Sequence, residues 1–243
     1  MANNKATYNE RLFQKSRIRR FLHLQRYFWL KKVYESFVGN KPAKVLELGC
    51  YDAKTLEFIP KPEKYVCFDA NWEGGLDLAK KNYGSLTYCS FFESNHPADL
   101  SLIEETFDVF ISMETFEHIK TSLVEEYLKQ VTLKLKKGAW IFITVPNEIG
   151  LPLLIKYAAK AAFKKFGKSS DFGAETYSFK ELYYGFLGKT EKVKRVEGGH
   201  KGFNWKNFQN LLTKYFDLVK VEGIPFSRFP SLSFQVGLVL KNR

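Results

Sequence analysis

The 243-residue sequence predicts a doubly wound α/β fold, and three observations carry that expectation. Short apolar runs alternate with helical patterns from Lys44 to Val145, as parallel strands require because each needs a crossover connection. The first run, Lys44–Leu48, ends in Gly49, so a buried strand enters a close turn. Asp69 follows Gly49 by 20 residues, at the end of a second run, Tyr65–Phe68. A carboxylate at that place can accept both hydroxyls of a ribose, in the crevice at the carboxyl ends of parallel strands.

Residues 1–40 read as a basic, aromatic helical arm of two helices. Leu12, Ile18, Phe21, Leu22, Leu24, Phe28, Leu30, Val33 and Phe37 recur at three- and four-residue spacings, with Arg17, Arg19, Arg20 and Arg26 between them. Such an arm packs an apolar face on the core, or serves as a lid or a clamp for an anionic substrate. After the turn signal Gly39-Asn40-Lys41-Pro42, strands are expected near Lys44–Leu48, Lys64–Phe68, Leu86–Ser90, Phe107–Ser112 and Ala139–Val145. Helices fill the gaps near Lys54–Ile59, Gly74–Tyr83 and Ser122–Leu135.

Beyond Val145-Pro146-Asn147 the pattern changes. Leu151–Phe166 places Lys156, Lys160 and Lys164 on one stripe, with Leu154, Ile155, Ala158, Ala159, Ala162 and Phe166 mostly opposite. That is a basic amphipathic helix, either docked on the core or resting on anionic lipid. The stretch Lys168–Gly202 reads as helical pieces and loops over the strand ends. A helix follows at Asn204–Tyr215, then strands Phe216–Glu222 and Leu232–Leu240. Pro225 and Pro230 bracket their connection, which suits an antiparallel pair. The expected organisation is an arm (1–40), a core (41–149), a helical cover (150–203) and a closing helix with two strands (204–243).

Length and composition fit a globular chain with a sizeable core: 45% of residues are hydrophobic and 16% aromatic. The formal charge of +12 attracts nucleic acid, anionic lipid or an anionic small substrate, without choosing among them. Three cysteines, Cys50, Cys67 and Cys89, lie at or in the expected strands. Their odd number and the lack of metal-ligand spacing argue against a disulfide framework and for reduced core thiols. No apolar stretch approaches the ~20 residues that span a bilayer, so the expected location is cytoplasmic, with peripheral contact at the inner membrane face as a further reading.

Four segments in order, Lys44–Thr55, Asp69, Phe107–Ile119 and Leu135–Glu148, resemble the class I S-adenosylmethionine-dependent methyltransferases of the small-molecule, quinone and sugar branch. The family's first motif runs hydrophobic-Leu-Glu-Leu-Gly-Cys-Gly-x-Gly. Glu47, Gly49 and Cys50 stand in their places, while Tyr51 and Ala53 replace two glycines. The resemblance implies a Rossmann-like, seven-stranded, mostly parallel sheet with helices on both faces. It implies S-adenosylmethionine as cofactor and S-adenosylhomocysteine as product. Loss of the two glycines lowers the odds of a dinucleotide, whose pyrophosphate needs bare backbone amides.

On this resemblance Gly49, Cys50 and Tyr51 form the turn at the amino acid end of the cofactor, and Glu47 serves its ammonium group directly or through water. Asp69 takes the ribose, flanked by Ala70 and Asn71. Glu93 accepts from the adenine amine with Phe92 against the ring, although one of Phe91 and Phe92 is plain core. Met113 and Glu114 lie beside the methionine portion. The segment ending Glu117-His118-Ile119 falls where the acceptor meets the methyl group. His118, whose neutral imidazole can take a proton near pH 7, is the first candidate for general base; the alternative is a structural Glu-His pair at the next helix. His200, in the loop Gly198–Gly202, is the second candidate. No metal is expected: methyl transfer from a sulfonium depends mainly on alignment, and His118, His200 and the nearby carboxylates do not make an obvious ligand set in the sequence.

The functional expectation is O-methylation of a small-molecule, saccharide or lipid-linked acceptor. Ser112–Glu114 stands where exocyclic-amine nucleic acid methyltransferases carry Asn/Asp-Pro-Pro-aromatic, which disfavours base N-methylation. An RNA or protein methyltransferase that docks through the +12 charge is the runner-up. A non-catalytic scaffold on the same fold is the reading from another class.

Overall fold

The computed structural model describes residues 17–165 and 176–243. Leu12 of the arm, Phe166 of the basic helix and 168–175 of the cover fall outside them. Five strands, β1 (Lys44–Leu48), β2 (Lys64–Asp69), β3 (Cys89–Glu93), β4 (Phe107–Met113) and β5 (Leu135–Pro146), run parallel. With β6 (Phe216–Ile224) and β7 (Gln235–Asn242) they form one seven-stranded sheet of order β3-β2-β1-β4-β5-β7-β6. β7 is antiparallel to both β5 and β6. The chain leaves β1 toward β2 on one side and later returns to β4 on the other, so the crevice of an open α/β sheet opens between β1 and β4.

Period-2 alternation divides the apolar residues between two cores. On one face Val45, Cys67 and Val109 meet α1 (Arg17–Phe37) and α2 (Gly75–Tyr83) through Leu30, Val33, Leu76 and Ala79. On the other, Leu46, Val66 and Phe110 meet α3 (Thr121–Lys134) and α6 (Trp205–Leu212) through Leu128, Val131, Phe208 and Leu212. Two further helices, α4 (Gly150–Lys165) and α5 (Phe179–Phe186), stand beyond the ends of β5. No helix among the described residues is long and apolar enough to cross a membrane. The three cysteines are free.

The described part of the arm is one uninterrupted helix, and the rest of the expected pair lies outside the described residues. Its Trp29 indole lies on Gly237, where an added Cβ would come within 2.3 Å of the ring, and its Nε1 donates to Glu222 at 3.0 Å. The same helix reaches the first loop, where Tyr27 stacks on Phe58 at 5.0 Å.

Several bounds and one helix face differ from expectation: β5 begins at Leu135 rather than Ala139, and β7 at Gln235 rather than Leu232. The segment read as a helix over Lys54–Ile59 is a single 3-10 turn, Lys54–Glu57, entered from Ala53 in a left-handed conformation with no side-chain cap and followed by Pro60. β3 begins three residues late, because Leu86 and Cys89 close turns onto Tyr83 and Leu86; Glu93 thereby becomes the last strand residue, opposite Asp69. At Lys156 the lysine stripe of α4 is inverted. Lys156 is half-buried and donates to the Asn147 and Phe234 carbonyls and to Glu148, whereas Ile155, Ala158, Ala159 and Ala162 face outward. The ion pair with buried Glu148 turns that face of the helix inward.

Candidate active site

The loops after β1, β2 and β4 carry all five non-glycine residues with positive φ among the described residues: Tyr51, Ala53, Asn71, Glu73 and Glu114. Such conformations cost about 1–3 kcal/mol each and cluster where function holds them. Tyr51 (φ 48°) and Ala53 (φ 56°) replace the expected glycines yet keep the left-handed backbone that glycine would adopt. Gly49 (φ 74°) has no such latitude, because a Cβ there would lie 2.2 Å from Thr115 Oγ1. The turn after β1 is thus pressed against the residue that follows β4.

Asp69 ties the first two loops together. Its carboxylate accepts the Tyr51 amide at 2.9 Å and the Asn71 amide at 2.7 Å, and burial raises its pKa despite these bonds. Asn71 Nδ2 donates in turn to Glu93 at 3.2 Å, and Lys80 pairs with Glu93 at 3.5 Å. Ala70 is exposed beside them. Tyr51 lays its ring over Gly75 at the start of α2 and meets Trp72 with centroids 6.3 Å apart. Asp69, Ala70, Asn71, Tyr51 and Glu93 are therefore brought to one place.

Two expected contacts lie elsewhere. Glu47 is buried under the turn, where Thr55 Oγ1 donates to one carboxylate oxygen at 2.6 Å and the Tyr65 hydroxyl donates to the other. Burial holds its pKa well above the carboxylate range, so it anchors the loop from beneath rather than meeting a ligand's ammonium group. Phe92 packs against the α3–α6 core and Phe91 against the opposite core, since neighbouring strand residues point to opposite faces; both are half-buried. Cys50 is also buried, which pushes its thiol pKa up.

The ends of β4 and β5 assemble a second cluster. Met113 is buried and accepts a contact from Thr144 Oγ1 at 3.8 Å. Glu114 Oε1 and both carboxylate oxygens of fully buried Glu117 have no hydrogen-bond partner. Burial, with the neighbouring Glu114 carboxylate, pushes the Glu117 carboxyl up to about 8. His118 Nδ1 lies 2.7 Å from the Gly198 carbonyl, and its Nε2 lies 3.3 Å from His200 Nε2. Glu117 Oε1 is 3.7 Å from the first of these nitrogens and 3.8 Å from the second. Burial lowers the His118 pKa. For His200 burial acts the same way but is outweighed by Glu148, 3.5 Å from Nδ1, and by Glu117, so its pKa is raised. Glu148 itself is held at about 2, against its burial, by Lys156 and His200.

A model of the methyltransferase domain family matches residues 18–177, more than half of the chain. The chain belongs to that family. No match is found among curated proteins. The fold is similar to those of the N-methyltransferase NodS from Bradyrhizobium japonicum WM9 and the magnesium protoporphyrin IX methyltransferase ChlM from Synechocystis PCC 6803, both crystallised with S-adenosylhomocysteine. NodS is 12% identical with a TM-score of 0.56, over 98% of this chain and 93% of its own. ChlM is also 12% identical with a TM-score of 0.60, over 96% and 92%. The PH0226 protein from Pyrococcus horikoshii OT3 is 14% identical with a TM-score of 0.61, over 98% and 100%. Family and fold together make the chain a class I, S-adenosylmethionine-dependent methyltransferase.

Residues that carry no motif hold the loop over the ends of β4 and β5. Arg195 donates to the Gly199 and Lys201 carbonyls at 2.6 and 2.9 Å and to the Glu117 carbonyl at 2.5 Å, clamping the His200 loop to the segment after β4. Glu197 accepts from the amide and hydroxyl of Thr121. Lys201 pairs with Glu181 at 2.8 Å and donates to the Thr176 carbonyl at 2.7 Å. Nothing in the spacing of a basic loop marks these residues. His118 and His200, 82 residues apart, show no ligand spacing in the sequence, and folding brings both beside Glu117.

Proposed function

We propose that this methyltransferase transfers a methyl group to an oxygen of a small-molecule, saccharide or lipid-linked acceptor. The observation that carries the reading is the imidazole pair of His118 and His200 beside buried Glu117, next to the crevice between β1 and β4. The residues of the crevice suit S-adenosylmethionine: the turn at Gly49, Tyr51 and Ala53 keeps a glycine-like backbone, Asp69 stands at the end of β2, and Glu114 carries a buried oxygen without a partner.

When bound, that cofactor supplies an electrophilic methyl on a sulfonium, so little beyond alignment is asked of the protein. Asp69 and Asn71 fix the loops against which the nucleoside end is held. Gly198 accepts from His118 Nδ1–H, which leaves a lone pair on Nε2 to take the acceptor's hydroxyl proton. Arg195 and the Lys201–Glu181 pair keep the His200 loop over this position. The exposed side chains Ile155 on α4 and Phe179, Tyr183 and Phe186 on α5 favour an acceptor with an apolar part, at or near an anionic membrane surface.

Isothermal titration with S-adenosylmethionine and S-adenosylhomocysteine tests the cofactor, alongside Asp69→Asn. Micromolar binding, about −8 kcal/mol, that weakens in the variant supports the enzyme reading; no binding to the folded chain moves the scaffold reading to first place. Labelled-methyl transfer to panels of phenols, saccharides and lipid precursors tests the acceptor. An RNA or protein methyltransferase docking through the +12 charge is the second reading, and steep salt dependence of RNA binding would promote its RNA form. Co-sedimentation showing no preference for anionic liposomes would remove the membrane contact.

A further inference from the structure

The geometry points to a divalent metal site formed by His118 Nε2, His200 Nε2 and the Glu117 carboxylate. Each imidazole is held from its Nδ1 side by an acceptor, the Gly198 carbonyl at 2.7 Å for His118 and the Glu148 carboxylate at 3.5 Å for His200. An acceptor facing Nδ1 assigns the ring proton there, so the neutral rings turn their Nε2 lone pairs toward one another across 3.3 Å. Two lone pairs at that distance repel unless a proton or a cation lies between them.

Zinc–nitrogen bonds of about 2.0–2.1 Å in a tetrahedral arrangement separate two ligand nitrogens by roughly 3.4 Å, close to the separation found. Glu117 Oε1, 3.7 and 3.8 Å from the two nitrogens, completes a triad whose ligand atoms all lie within 4.8 Å of one another. The carboxylate is fully buried and neither oxygen has a hydrogen-bond partner. A buried carboxylate left in that state is costly unless a positive charge meets it. Glu114, three residues earlier, adds a third buried oxygen without a partner.

The outer shell has the form that metal-bound histidines require, a carbonyl and a carboxylate on the distal nitrogens fixing tautomer and ring orientation. Lys156 holds that carboxylate, and Arg195 locks the two ligand-bearing segments together. Two imidazoles and one carboxylate suit Zn2+, Mn2+, Fe2+ or Co2+, and three protein ligands leave positions open. The use of the cation rests on the proposed function: the open positions take two neighbouring oxygens of the acceptor, as in a catechol or a vicinal diol. The coordinated hydroxyl gives its proton to solvent. The O–CH3 bond then forms as the S–CH3 bond breaks, the electron pair staying on sulfur, and the metal keeps its charge throughout. The histidines then act as ligands in place of bases.

The test uses the full chain freed of metal by chelation, titrated with Co2+ and followed by visible absorption and calorimetry. One equivalent is expected to bind, displaced by Zn2+, and Glu117→Gln, His118→Ala and His200→Ala should each weaken binding about 100-fold or more, at or above the loss for outer-shell partners. His96→Asn alters a histidine at the start of a separate 3-10 turn and should leave binding unchanged. Pulsed electron paramagnetic resonance on the Cu2+-loaded wild-type chain counts bound imidazoles without substitution: two supports the site, fewer overturns it. Absence of Co2+ binding by folded wild type, or binding that survives all three substitutions, also overturns it. S-adenosylhomocysteine titration in parallel separates the two claims. Cofactor binding without metal removes the metal site alone, and metal binding without cofactor removes the methyl-transfer reading alone.

Discussion

Replacing Gly49 by alanine probes the point where the turn after β1 meets the chain after β4. Two costs are expected. At φ 74° the new Cβ meets its own backbone, a penalty of roughly 1–2 kcal/mol. It would also lie 2.2 Å from Thr115 Oγ1, 2.3 Å from Cγ2 and 2.8 Å from Cβ, overpacking that typically costs ~1–3 kcal/mol. The sum, about 2–5 kcal/mol, corresponds to a fall in melting temperature of roughly 4–20 °C for a chain of this size. Thr115→Ala removes the two nearest atoms but not the backbone strain. In the double variant about 1–2 kcal/mol should return, read as coupling in a double-mutant cycle. Thermal melting, with titration of S-adenosylhomocysteine to follow the crevice, measures both. A Gly49→Ala protein that melts with wild type, or a strictly additive double variant, would refute the close approach.

Three other perturbations test the supports of the site. Arg195→Lys cannot span three carbonyls as the planar guanidinium does; methyl transfer should fall at least tenfold with S-adenosylhomocysteine affinity nearly unchanged, and amide exchange in 195–203 should quicken. Equal exchange in the two proteins would count against the clamp. Glu181, held at about 2 by Lys201 and the Ser178 amide instead of 4.5, contributes stability that is present above pH 4.5 and lost as pH falls toward 2. Glu181→Gln should therefore flatten the acid limb of the melting curve in that window, and an unaltered limb would contradict the ion pair. Gly237→Ala would press a methyl within 2.3 Å of the Trp29 ring; a loss of about 1–3 kcal/mol is expected in urea unfolding, eased when Trp29 is also replaced by leucine.

The strand pattern was legible because burial on both faces of a parallel sheet leaves short apolar runs, and Lys44–Leu48 and Phe107–Met113 show them plainly. Capping and turn chemistry were less visible. The late start of β3 depends on backbone turns onto Tyr83 and Leu86, which apolarity at Leu86 conceals. The turn at Tyr51 and Ala53 illustrates a different limit: side chains argued against a glycine-like loop, yet tertiary contacts hold both residues in the left-handed region.

By itself, then, the sequence determined the α/β sheet, the antiparallel final pair, the crevice at Gly49 and Asp69, and the methyltransferase family, all of which rest on local periodicity and motifs close in the chain. Only the tertiary structure decided that Glu47 faces inward, that Lys156 serves Glu148 rather than solvent, and that His118 and His200 meet at 3.3 Å over a buried Glu117. Those outcomes depend on groups brought together across tens of residues by the loops at one end of the sheet. Contacts of that kind leave no period or spacing in the chain to be read.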